Sequence, residues 1–277
     1  MGLKDILVHV DGGQANASRV RLALELAGRF QAHLSGLYVI PRWTIPPYVG
    51  LTIDPSIIQA QEEAARTQAK QTEEQFRAAA DQVGIAAEWR ALEGEPAPLL
   101  VQQARYADLV ILGQANPDDP ASPDFMLAEE VILQAGRPVL VVPYIGAPAQ
   151  FGQRVLVAWN ASRESTRAVN DALPLLAAAQ KVDVVVCNAA GTAAANAGHI
   201  AADISLHLAR HGVTVESHHL KAEDIEVGDM LLSRAADLGA DLIVMGAYGH
   251  SRWRELVLGG ATRHILKHMT VPVLMAH

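Results

Sequence analysis

The chain has 277 residues, half of them hydrophobic and 19% charged, which is enough for about two buried α/β domains and argues against disorder. Its formal net charge of −8 argues against a general nucleic-acid surface, which needs a basic face. A single cysteine, Cys187, excludes an internal disulfide and suits a reducing compartment. No apolar run reaches the roughly 20 residues of a membrane helix. A strand pattern begins at Asp5 with no signal peptide before it, so a cytoplasmic, membrane-free protein is expected.

In chain order, Asp5 to Val10 reads as a buried strand. Ser18 opens a helix with Leu22, Leu26 and Phe30 at a spacing of four. Leu34 to Ile40 is a strand, followed by a loop that carries Trp43, Ile45 and Tyr48. A long polar helix runs from about Ile57 to Val83, with Gly84 as its cap. Ala86 to Leu92 is a third strand, and Pro96 suits the first turn of the next helix. A strand at 108–112, a short helix near Glu129 to Ala135 and a strand at 138–142 follow. The same series then recurs: strand 154–159, helix 162–179, strand 182–187, helix 198–211, strand 213–220, helix 226–238, strand 241–245, helix 262–269 and strand 271–275.

The recurrence is also one of sequence. Ile6-Leu7-Val8-His9-Val10-Asp11 is answered by Val155-Leu156-Val157-Ala158-Trp159-Asn160. Ala107-Asp108-Leu109-Val110-Ile111-Leu112-Gly113 is answered by Ala240-Asp241-Leu242-Ile243-Val244-Met245-Gly246, and Pro138-Val139-Leu140-Val141 by Pro272-Val273-Leu274-Met275. Matched segments in the same order predict two copies of one domain, at 1–146 and 151–277, joined by a Pro- and Gly-rich linker. Strands alternating with helices predict a doubly wound five-stranded parallel sheet in each.

One stretch carries chemistry. After the strand Asp241 to Met245 come Gly246 and Gly249, then nine residues, then Gly259, Gly260, Ala261 and Thr262 at a helix start. Free N–H groups and the helix dipole there favour an anion. Packing between strand and helix is the alternative use of such glycines. The spacing Gly-x2-Gly-x9-Gly, with Asp-Leu-Ile-Val-Met before it and Val-Pro-Val-Leu after it, resembles the nucleotide loop of the universal stress protein family. The resemblance covers nearly the whole chain as a tandem pair. It implies an adenine nucleotide α-hydrolase-like, Rossmann-like fold. In ATP-binding members an acidic residue ending the first strand meets adenine, a position after the second strand lines its pocket, and the glycine loop holds ribose and phosphates.

The two copies keep different parts of that set. The first has Asp11 but lacks the later glycines, its loop from Gln114 to Asp124 being rich in proline and aspartate. The second has the loop, with Asn160 in place of the aspartate and Gly260 where the family usually has Ser or Thr. Asn160 suits equally well an Asx turn before a helix capped by Ser162. A single site is therefore expected in the second copy, built from Ala158, Asn160, Asn188, Met245, Gly246, Gly249, Gly259, Gly260, Ala261 and Thr262. His250, Arg252 and Arg254 lie in the loop, within reach of phosphate or on a solvated face. The ligand implied is ATP, with Mg2+ as a companion.

His207 and His211, and His264 and His268, are pairs four apart on helices. No carboxylate or cysteine joins either pair at a diagnostic spacing, so no metal site is expected. No Gly-x-Ser-x-Gly elbow or Gly-x4-Gly-Lys-Ser/Thr loop occurs, and no catalytic residue is assigned. The resemblance implies a regulatory ATP binder of the stress response. A tandem chain already supplies both halves of the family's usual dimer, which suits a monomer, while the apolar surface around Trp43, Ile45 and Tyr48 suits a homodimer of tandem chains. The alternatives are a nucleotide-free scaffold of the same fold and a slow adenine-nucleotide hydrolase.

Overall fold

The computed structural model describes residues 2–41, 54–188, 197–221, 226–249 and 260–277. The first half runs β1 (Asp5–Val10), α1 (Asn16–Phe30), β2 (His33–Pro41), α2 (Pro55–Gln82), β3 (Ala87–Gly94), α3 (Pro96–Ala104), β4 (Leu109–Gly113), α4 (Phe125–Gln134) and β5 (Val139–Val142). The second half repeats it with β6 (Arg154–Trp159), α5 (Arg163–Ala177), β7 (Lys181–Asn188), α6 (Ala197–Arg210), β8 (Val215–Lys221), α7 (Val227–Leu238), β9 (Leu242–Gly246), α8 (Gly260–His268) and β10 (Val273–Ala276). Both halves share one strand order, and the two sheets merge into ten strands, β3-β2-β1-β4-β5-β10-β9-β6-β7-β8. Every neighbouring pair is parallel except the central one, where β5 and β10 run antiparallel and pair Leu140 with Leu274. That reversal relates the halves by a pseudo-two-fold.

Both sheet faces are buried, which explains why the central strands are apolar throughout rather than alternating. Ile6, Val8 and Val10 belong to the core on the face covered by α1, α2, α5 and α6, and Leu7 to the core on the other face, covered by α3, α4, α7 and α8. Gly84, at φ 71°, follows the cap of α2 in a left-handed conformation, as its position in the sequence predicts. The start of α1 differs from the expectation at Ser18. The helix begins at Asn16 after Ala15, without a side-chain cap, and the Ser18 hydroxyl instead accepts a hydrogen bond from Ala147 N in the linker. Among the described residues, no helix is long and apolar enough to cross a membrane.

Candidate functional site

In an open parallel sheet the ligand crevice lies beyond the strand ends where strand order reverses. Here that point falls between β1 and β4 in the first half and between β6 and β9 in the second. In the first crevice a buried guanidinium lies between the ends of β1 and β4, beside a cavity of about 870 Å³ that opens between α1 and α2 and is lined in part by Asp11, Gly12 and Gly13. Arg19, on the buried side of α1, is 1% exposed and donates through Nε to His9 O at 2.8 Å. Its Nη2 donates to Asp11 Oδ2 at 2.6 Å and to Asn16 Oδ1 at 2.9 Å. A Cβ on Gly113, at the end of β4, would overlap this guanidinium. Asp11 also accepts a hydrogen bond from Gly13 N through Oδ1, so both carboxylate oxygens are engaged. The loop beyond is held by its own polar groups. Asp119 accepts from Gln14 N and Ala121 N, and Asp124 caps α4 by accepting from Met126 N.

The second crevice is built differently. Ala168 stands eight residues after Asn160, as Arg19 stands eight after Asp11, so the position that carries the guanidinium in the first half carries a methyl group in the second. Ala158 pairs with Met245 across β6 and β9, with Gly246 next to them and Asn188 ending the adjacent β7. Asn160 Oδ1 accepts from Ser162 N at 3.1 Å, and Ser162 Oγ accepts from Ser165 N at 3.1 Å. This is the Asx turn and capped helix that the sequence also allows. A Cβ on Gly246 would collide with the backbone of Glu164 and Ser165, so close packing of α5 already requires glycine there. A Cβ on Gly249 would lie 2.9 Å from Glu164 Oε2 and 3.3 Å from Ser162 Oγ. The Glu164 carboxylate thus faces the second glycine, a neighbour that spacing along the chain does not reveal.

At the start of α8, a Cβ on Gly260 would meet nothing within 4 Å among the described residues, and the first turn carries no acidic residue. Thr262 is buried, and its Oγ1 accepts from Tyr248 N at 3.3 Å, which ties the strand exit to the helix. Tyr248 itself takes the left-handed conformation, φ 57°. The structure therefore gathers Ala158, Asn160, Met245, Gly246, Gly249, Gly260, Ala261 and Thr262 at one end of the sheet. His250, Gly259, Arg252 and Arg254 lie outside the described residues, as does the loop from Trp43 to Tyr48.

The universal stress protein family model matches twice, over residues 2–143 and 152–277. The chain belongs to the universal stress protein family. A universal stress protein of Methanocaldococcus jannaschii is 28% identical over 142 residues, covering 50% of this chain and 81% of that protein. One from a Synechocystis strain is 50% identical over 38 residues, 14% of this chain and 13% of that protein. Among solved structures, a universal stress protein from Archaeoglobus fulgidus aligns over 98% of this chain and 96% of its own, with a TM-score of 0.73 at 17% identity. That last likeness is one of fold.

Two cross-half contacts bear on this universal stress protein's second crevice. Arg263, on α8, donates to both carboxylate oxygens of Glu129 on α4, through contacts of 3.0 to 3.1 Å. Gln114 Nε2 donates to Leu266 O and Lys267 O at the far end of α8, both at 3.0 Å. The helix that would present N–H groups to an anion is thus anchored by the first half. Burial, with the Glu129 carboxylate nearby, holds the Tyr248 hydroxyl well above the usual phenol range, so it stays protonated.

Proposed function

We propose that the chain is a regulatory adenine-nucleotide binder of the stress response, holding one ATP at the ends of β6 and β9 in its second half. The asymmetry of the two strand ends supports this reading: the Arg19 guanidinium is paired with Asp11 in the first, while the matching position of the second is Ala168 and, among the described residues, nothing lies within 4 Å of a Cβ on Gly260 at the start of α8. Phosphates would meet the N–H groups of Gly260, Ala261 and Thr262, and adenine would lie toward Ala158 and Asn160. One observation favours the nucleotide-free scaffold reading instead. Glu164 sits against Gly249, where its charge repels a bare triphosphate. A divalent cation offsets much of that repulsion, so this reading takes Mg-ATP rather than free ATP as the ligand.

The test is Gly260→Asp. A Cβ there meets nothing within 4 Å among the described residues, and aspartate suits a helix start, so the fold is kept while a negative charge enters the anion site. Mg-ATP affinity should fall by at least about tenfold, or roughly 1.4 kcal/mol. Unchanged affinity would place any bound nucleotide elsewhere.

A further inference from the structure

The histidine pair on α8 has partners that its spacing does not predict. Glu226 and Asp229, at the start of α7, reach His264 across the α7–α8 contact. One donor atom from each of the three lies within 4.8 Å of the other two. Gly228 makes this approach feasible, since a Cβ there would lie 2.8 Å from the His264 ring. His264 Nε2 is 2.7 Å from Asp229 Oδ1 yet off the line of a hydrogen bond, and it is buried with no hydrogen-bonding partner among the described residues. At that distance the two groups form an ion pair when His264 is protonated, and the same approach brings three metal-ligating side chains to one point.

We propose that Glu226, Asp229 and His264 form a divalent transition-metal site, completed by water, that staples α7 to α8. Ligands about 2.1 Å from a tetrahedral zinc ion stand about 3.4 Å apart, so small rotamer changes close this set on an ion. Imidazole with carboxylates selects zinc, cobalt or nickel over magnesium and calcium, which prefer all-oxygen shells. The ion enters from solvent, since the side chains of Glu226 and Asp229 are 74% and 56% exposed. A second cluster, Asp183, Glu216 and His218, differs in already holding a cation: Lys181 Nζ lies 3.2 Å from Asp183 and 2.8 Å from Glu216.

The full chain, stripped with a chelator, is titrated with zinc by calorimetry and with cobalt by visible absorption. One ion per chain is expected at this site, with cobalt bands of a mixed nitrogen and oxygen shell. His264→Ala and Asp229→Asn should each weaken zinc binding at least about tenfold, which corresponds to about 1.4 kcal/mol. His207→Ala, in the other histidine pair, should leave it unchanged. Asp229 is exposed, so Asp229→Asn decides the matter if His264→Ala fails to fold. No cobalt band, or unchanged affinity in Asp229→Asn, overturns the proposal.

Discussion

Arg19 and Asp11 form a 2.6 Å ion pair at the end of β1 in the first half. Arg19 is buried, and its charge has no other carboxylate within salt-bridge distance among the described residues. Removing one partner of such a pair strands the other in a poorly solvated site. Arg19→Met should cost about 3 kcal/mol in urea unfolding. Gly113→Ala should also destabilise, because its methyl group competes with the guanidinium for the same space.

The His9 imidazole, buried behind that pair, gives a pH signature. Burial first, and then the Arg19 charge, lower it to about 4 against the opposing pull of Asp11. The unfolded chain titrates near 6.5, so between about pH 6.5 and 4 the unfolded state holds the extra proton. The contribution is therefore fully present above about pH 6.5 and is lost as the pH falls toward 4, by roughly 3 kcal/mol. Unfolding free energies measured across that window for the parent and His9→Gln should diverge by this slope. Parallel curves would mean that His9 is protonated in the fold.

Arg263 and Glu129 couple the halves. The Glu129 side chain is 4% exposed but that of Arg263 is 38% exposed, so water screens one side of the pair. A double-mutant cycle with Glu129→Gln and Arg263→Met should return a coupling of about 1 kcal/mol, below the value for a fully buried pair.

Glu164 should make nucleotide binding depend on the cation. In Glu164→Gln, ATP without Mg2+ should bind more tightly than to the parent, by several-fold or more, since a repelling charge is gone. Equal magnesium dependence in both proteins would remove Glu164 from the phosphate site.

The fold was legible because both faces of the sheet are covered, so each central strand is a short apolar run bounded by turns, and the runs repeat. The merger through β5 and β10 was not legible: Val139–Val142 and Val273–Ala276 carry nothing that distinguishes a parallel neighbour from an antiparallel one. At the site, the Asx turn at Asn160 follows from local residues and could be read. Arg19 could have been noticed as an arginine on the buried stripe of α1, beside Val20 and Ala23. Glu164 facing Gly249, and Glu226 facing His264, bring together residues far apart in the chain. Only the topology joins them.

The measurement that tests the central claim most directly is the stoichiometry of Mg-ATP binding to the intact chain, by calorimetric titration of the parent beside Gly260→Asp. One nucleotide per chain, weakened at least about tenfold in the variant, is the predicted result. Two nucleotides per chain, or none, would contradict it.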